Sequence, residues 1–183
     1  MDFHGPLSLK YAEGEFPEIA REYDQKEEFP GHLWKKACRL GFVGVFIKED
    51  YGGPGLGFFE HCLINEEFWR VDPGIGLSIL AATFGSEMIQ LFGTEEQKKA
   101  LLPPLVKGEA ITGAAIPEPD AGSDVTSVIT RAIPVEGEYI INGTKTFTTN
   151  DTTASSSWKR IAKVLKQLPS RTSWELGRPK RRS

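Results

Sequence analysis

Two short segments of this chain carry the residue types that bind a flat, anionic ligand. The first runs from Ala114 to Asp124 (AAIPEPDAGSD). Pro117 and Pro119 stiffen its entry, because each ring fixes φ. Ala121, Gly122 and Ser123 then offer backbone N–H groups with almost no side-chain bulk. Such a run can close into a concave nest for an anion such as a pyrophosphate, and the Ser123 hydroxyl adds one more donor. The same composition also makes an ordinary turn between strands. The second segment runs from Asn142 to Asn150 (NGTKTFTTN). Its threonines and Phe147 can present hydroxyls and an aromatic face to a planar ring, with Thr149 donating to a ring nitrogen while Phe147 stacks. Taken alone, it also reads as a plain strand with Phe147 in the core.

Other chemistries find little support. Cys38 and Cys62 sit far apart in helix-like stretches and read as two reduced core thiols. His4, His32 and His61 lack metal-ligand spacing, so no metal site is expected. No run of about 18 apolar residues is read, so no membrane span is expected. The opening residues lack the layout of a secretory signal, and no transit peptide is recognised. The expected location is the cytoplasm, or the mitochondrial matrix in a eukaryote. Charge is uneven. Residues 1–150 hold 13 Lys and Arg against 23 Asp and Glu, while residues 151–183 hold 9 against 2. That reversal marks a boundary.

The elements that must position the two segments follow from periodicity. Residues 1–109 read as helical. Gly5 and Pro6 are expected to break the chain near its start. A polar helix is expected from Glu15 to Lys26, then one after Pro30 with Leu33, Trp34, Ala37, Cys38 and Leu40 as its apolar stripe, closed by Gly41. Residues 42–47 read as a buried linker, followed by a glycine-rich turn from Gly52 to Gly57. The next helix, Phe58 to Val71, is expected to face Phe59, Cys62, Leu63 and Trp69 inward. Gly76 to Phe92 is apolar nearly all round and reads as a buried helix. Thr94 and Gln97 fit a capping box for a helix carrying Leu101, Leu102 and Leu105. From Ala110 the pattern changes to strands: Ala110 to Ile116, Val125 to Val135, and a hairpin of Tyr139–Ile141 with Thr144–Thr149 around Asn142-Gly143. The fold class is therefore α+β: an N-terminal all-α helical domain followed by an incomplete β-barrel-like middle domain.

Taken in order, the two segments resemble the acyl-CoA dehydrogenase family. The likeness rests on Glu118 to Asp124 (EPDAGSD), followed by Asn142 to Asn150. It extends to Leu40-Gly-Phe, Tyr51 to Gly55 (YGGPG), Gly93 to Lys98 (GTEEQK) and Leu102 to Gly108 (LPPLVKG), covering roughly residues 14–150. The resemblance implies FAD as cofactor. It implies that Ala114, Ile116, Pro117, Gly122, Ser123, Phe147, Thr148 and Thr149 contact the flavin, and that Ser123 also touches the pantetheine of an acyl-CoA substrate. It further implies α,β-dehydrogenation of acyl-CoA thioesters, an electron-transferring flavoprotein as acceptor, and homo-oligomers. A related flavoenzyme of the same fold (an acyl-CoA oxidase or a flavin monooxygenase), or a non-catalytic fragment pairing with a full-length homologue, stays open beside it.

The match also departs from the family. Pro117 stands where many members have threonine, which removes a hydrogen bond worth about 1 kcal/mol. Family members run to about twice this length, and their later part supplies the glutamate base. No carboxylate here matches that base, so no catalytic residue is expected, and the chain reads as truncated and inactive alone. Residues 1–109 then correspond to the family's N-terminal helical domain and 110–150 to the start of its middle β domain. Within the basic tail of residues 151–183, Ser155 to Leu168 reads as an amphipathic helix with Trp158, Ile161, Ala162, Leu165 and Leu168 on one side, and Pro169 to Ser183 as a poorly ordered end. They suit either a basic module for anionic membranes or nucleic acid, or sequence unrelated to the fold. The likeness stops and the composition changes together at Asn150, which favours the second, so no nucleic-acid partner is expected.

Overall fold

The computed structural model describes residues 4–135 and 138–150. The expected basic helix and tail of 151–183 lie outside the described residues. Among the described residues, seven α-helices come first: α1 (His4–Glu15), α2 (Ala20–Lys26), α3 (Gly31–Arg39), α4 (Phe58–Val71), α5 (Pro73–Leu80), α6 (Ser86–Phe92) and α7 (Glu95–Val106). Two strands follow, β1 (Arg131–Val135) and β2 (Glu138–Asn142). This is the α+β arrangement expected from the sequence.

Gly5 and Pro6 do not break the start. They lie in the first turn of α1, where the N–H that proline lacks would have no helical partner. The single helix expected from Glu15 to Lys26 is instead interrupted. Phe16 is fully buried, Pro17 supplies no N–H, and the chain turns before α2. α3 buries Leu33, Trp34, Ala37 and Cys38 as expected, while Leu40 falls outside the stripe at 40% exposure. Gly41 closes that helix at φ 77°, and the Phe42 amide reaches back to the Ala37 carbonyl at 3.0 Å.

The main core forms where α1 and α4 cross. Tyr11, Phe16, Phe42 and Phe68 bring their rings to centroid distances of 5.3–5.7 Å. The Tyr11 hydroxyl donates to the Leu33 carbonyl at 2.8 Å, and burial pushes its pKa well above the ordinary phenol range. A smaller cluster gathers Phe46, Ile47, Tyr51, Leu102 and Leu105. It depends on a close approach at Gly53, where a Cβ would lie 2.0 Å from the Ile47 carbonyl oxygen.

Two helical expectations need correction. On α4 the buried residues are Ile64 and Phe68, whereas Phe59 and Trp69 are exposed at 71% and 48%, Cys62 is an exposed thiol and not a core one, and Leu63 is only half-buried. Phe68 reaches Tyr11, Phe16 and Phe42, and that contact fixes which side of the helix turns inward. Residues 73–92 are not one buried helix. By length and composition alone this stretch could cross a membrane, and only 39% of it is buried. The chain breaks it into α5, a short 3-10 turn (Ala81–Thr83) and α6, because Phe84 is extended (ψ 124°) and Gly85 left-handed (φ 92°). Ile75, Ile79 and Leu80 face the core, while Leu77, Met88, Leu91 and Phe92 remain exposed. The capping box at α7 forms as expected: Gln97 N–H donates to the Thr94 hydroxyl, and Thr94 N–H to the Gln97 side chain.

The strand region is rearranged. Residues 110–116 belong to no strand or helix, and Val125–Ser127 is a 3-10 turn. β1 and β2 pair antiparallel, from Arg131 opposite Asn142 to Val135 opposite Glu138. The strand pairing therefore ends at Val135 and Glu138, so Asn142-Gly143 is not the hairpin turn. Gly143 serves a close packing contact instead: a Cβ there would sit 2.1 Å from Thr130 Oγ1. The chain after it leaves β2 and lies against residues 112–118.

Candidate functional site

The two segments singled out by their chemistry are neighbours in the structure. The Thr146 amide donates to the Pro117 carbonyl at 2.9 Å, and Lys145 Nζ donates to the Ile116 carbonyl at 2.9 Å. Further along, Gly113 lies so close to Thr149 that a Cβ on it would be 2.1 Å from the Thr149 carbonyl oxygen. The Asn150 side chain then donates to the carbonyls of Ala81 and Thr112, each at 2.8 Å. That pair of bonds ties the end of the segment to the helical layer.

Glu118 is the centre of this arrangement. Its carboxylate accepts the amides of Ile129 (2.8 Å) and Thr130 (3.0 Å), and Lys145 Nζ at 2.9 Å. It is the only buried Asp or Glu among the described residues. The Thr130 side chain first, then the Ile129 amide and Lys145, hold its pKa down to about 2. The Thr130 hydroxyl itself makes no hydrogen bond of good geometry, so the two amides and the ammonium are the donors that matter here. The folded pKa lies below the ordinary 4.5, so the carboxylate's contribution to stability is complete above pH 4.5 and fades as pH falls toward 2. Glu118→Gln removes that dependence. Denaturant midpoints of the two proteins are expected to differ fully above pH 4.5 and to converge between pH 4.5 and 2. A gap that stays constant to pH 2 contradicts this.

The turn after Glu118 is tight. Its amide and carbonyl pair with those of Ala121 at 2.7 and 3.2 Å. Beyond it, Gly122 and Ser123 are exposed, and their amides make no hydrogen bond to the described residues. A Cβ on Gly122 would meet nothing within 4 Å. Asp124 caps the following 3-10 turn through the Thr126 amide and the hydroxyls of Thr126 and Ser127, which lower its pKa, with Ser127 the largest influence. On the facing segment, Phe147 has φ 51° and is 90% exposed, and Thr149 is exposed. Thr148 Oγ1 is buried with no hydrogen-bond partner among the described residues. Ile116 is 43% exposed, and Ala114 packs toward Gly85.

Phe147 is thus not a core residue, which removes the plain-strand reading of its segment. An open aromatic face, an orphaned hydroxyl and two unengaged consecutive amides fit a ligand that is flat at one end and anionic at the other. Sequence reasoning quoted Glu118 and Lys145 within the motifs but gave them no role. The signal was available: Glu118 is a carboxylate set between two prolines, and Lys145 is the one cation of a threonine-rich segment. Gly113 and Asn150 were also passed over.

The helical part has clear relatives. The model of the acyl-CoA dehydrogenase N-terminal domain matches residues 9–109. The mitochondrial isovaleryl-CoA dehydrogenase of Solanum tuberosum is 38% identical over 150 residues, which are 80% of this chain and 36% of that protein. Among solved structures, butyryl-CoA dehydrogenase of Megasphaera elsdenii superposes with a TM-score of 0.72 at 30% identity, over 84% of this chain and 44% of that one. An acyl-CoA dehydrogenase of Bacillus anthracis complexed with FAD gives 0.70 at 37% identity, over 81% of this chain and 26% of that one. The chain spans about a third of the length of the curated relatives it matches. With the domain model matching more than half of its residues and solved relatives following its backbone, the chain belongs to the acyl-CoA dehydrogenase family.

Proposed function

We propose that this chain supplies flavin-lining residues of an FAD-dependent acyl-CoA dehydrogenase, whose parent reaction is α,β-dehydrogenation of an acyl-CoA thioester with electrons passed to an electron-transferring flavoprotein. The observation that carries this is the docking of residues 144–150 on 112–118, which leaves Phe147 and the amides of Gly122 and Ser123 open. Residues 1–109 act as the family's N-terminal domain and 110–150 as the opening of its middle β domain. Bound FAD would supply the acceptor for the hydride that leaves the substrate β-carbon.

The chain's own residues divide the work. Phe147 offers a ring face for stacking. The amides of Gly122 and Ser123 and the Ser123 hydroxyl donate to a pyrophosphate, and the same hydroxyl serves the pantetheine. Thr148 and Thr149 offer hydroxyls to the ring edge, while Ala114 and Ile116 give it apolar contact. Pro117 has neither N–H nor hydroxyl, and its carbonyl is held by Thr146, so it contributes packing alone. Glu118 does not take the substrate's α-proton: its carboxylate is filled by three donors and its pKa is about 2, far below that of a useful base. No catalytic residue is assigned, and the chain is inactive alone.

Titration of the purified chain with FAD tests the binding claim. Flavin fluorescence is expected to be quenched, and Phe147→Ala to weaken binding about threefold to tenfold. Flavin that stays fully fluorescent beside excess protein overturns it. Acyl-CoA and a dye acceptor are expected to give no turnover, and measurable dye reduction by the pure chain overturns the inactivity claim.

A further inference from the structure

The ion pair of Glu118 and Lys145 joins both walls of the cleft yet is closed to any ligand. Its side chains are only 3% and 12% exposed. Glu118 Oε1 receives Lys145 Nζ and the Thr130 amide, Oε2 receives the Ile129 amide, and Lys145 also holds the Ile116 carbonyl. Three stretches therefore converge on one carboxylate: the turn at 118, the approach to β1 at 129–130, and the segment bearing Phe147. We propose that Glu118 is a positioning residue, which through Lys145 forms a clasp that sets the separation between the amide-bearing turn and Phe147–Thr149. The clasp rests on the flavin reading for its ligand, but not for its geometry.

An exposed ion pair would have little such leverage, since its partners are solvated whether or not they meet. This pair differs because removing one partner leaves the other charged and buried. The two residues must act together or rearrange together. A reporter lies beside them that uses neither side chain: the Thr146 amide bond to the Pro117 carbonyl, one residue from each partner.

Amide hydrogen exchange on the full 183-residue chain reads that bond. Glu118→Gln and Lys145→Met are each expected to speed exchange at Thr146 by about tenfold or more, while amides of α3 and α4 keep their rates. Lys145→Arg keeps the charge and is expected to restore protection. If Glu118→Gln fails to fold, the two Lys145 variants report on the same amide. A second readout is the visible circular dichroism that bound FAD acquires, recorded at saturating FAD so that affinity drops out. It is expected to change in Glu118→Gln and Lys145→Met and to recover in Lys145→Arg. A Thr146 amide that stays protected in both disrupting variants overturns the clasp, even if their melting temperatures fall. So does an unchanged flavin signal in a variant whose Thr146 amide is released. If no form binds FAD but Thr146 is released, the flavin reading fails and the clasp stands.

Discussion

Phe68→Ala is expected to lower folding stability by about 3–5 kcal/mol. Phe68 is fully buried, and the rings of Tyr11, Phe16 and Phe42 surround it at 5.3–5.7 Å. The backbone of α5 also closes on it: a Cβ on Gly76 would lie 3.1 Å from that of Phe68. With partners on α1, on the 42–47 segment and on α5, no single element can move in to fill the space left by the ring. The cost is then the lost transfer energy together with a persistent cavity. Urea denaturation followed by far-ultraviolet circular dichroism measures it. Phe59→Ala is the matched control, since that ring is 71% exposed and its loss is expected to change stability by no more than about 0.5 kcal/mol. Equal losses at the two positions would contradict the assignment of the inward face of α4.

The second large effect is expected at Gly113. Alanine there would place its Cβ 2.1 Å from the Thr149 carbonyl oxygen, a backbone atom that cannot swing aside as a side chain does. The segment carrying Thr149 must retreat, and the two Asn150 hydrogen bonds to Ala81 and Thr112 are lost with it. Overpacking and two broken hydrogen bonds together give an expected loss of about 3 kcal/mol. FAD quenching is expected to disappear under conditions where the helical region still gives its normal circular dichroism. Gly122→Ala is the contrast: its Cβ enters open space, so stability is expected to hold within about 0.5 kcal/mol. Tolerance of Gly113→Ala with flavin binding intact would show that residues 112–118 and 144–150 do not touch.

Local chemistry in the sequence foretold what depends on few residues. The stripe of α3, the left-handed Gly41 and the Thr94–Gln97 capping box each involve neighbours within one or two turns, so residue type and spacing decide them. The motif segments were legible too, as candidates for a shared cleft. What escaped depended on distant partners. The inward side of α4 is chosen by rings on α1 and on the chain after α3, and an apolar face of Phe59, Cys62 and Trp69 competes equally well on paper. Asn142-Gly143 carries the stronger hairpin signature. Yet Val135 pairs with Glu138, and the chain beyond Gly143 is drawn away by Glu118 and Pro117, residues more than twenty positions earlier. The break at Phe84–Gly85 had a local sign, since Gly85, Ser86 and Glu87 interrupt the apolar run, but such an interruption does not by itself decide whether the helix continues or turns. Pro6 misled for the opposite reason: its usual effect vanishes in a first helical turn.

Asn150 has a mechanical consequence. Its backbone is left-handed, at φ 64°, and its amide group grips the carbonyls of Ala81, in the 3-10 turn between α5 and α6, and of Thr112, in the chain that follows α7. Tension applied to the chain from its C-terminal side would meet this double grip before it reached Phe147 or Thr149. The side chain works as a strain relief, like the clamp where a cable enters a housing: a pull arriving at residue 150 is taken up at Ala81 and Thr112, and the cleft upstream keeps its shape.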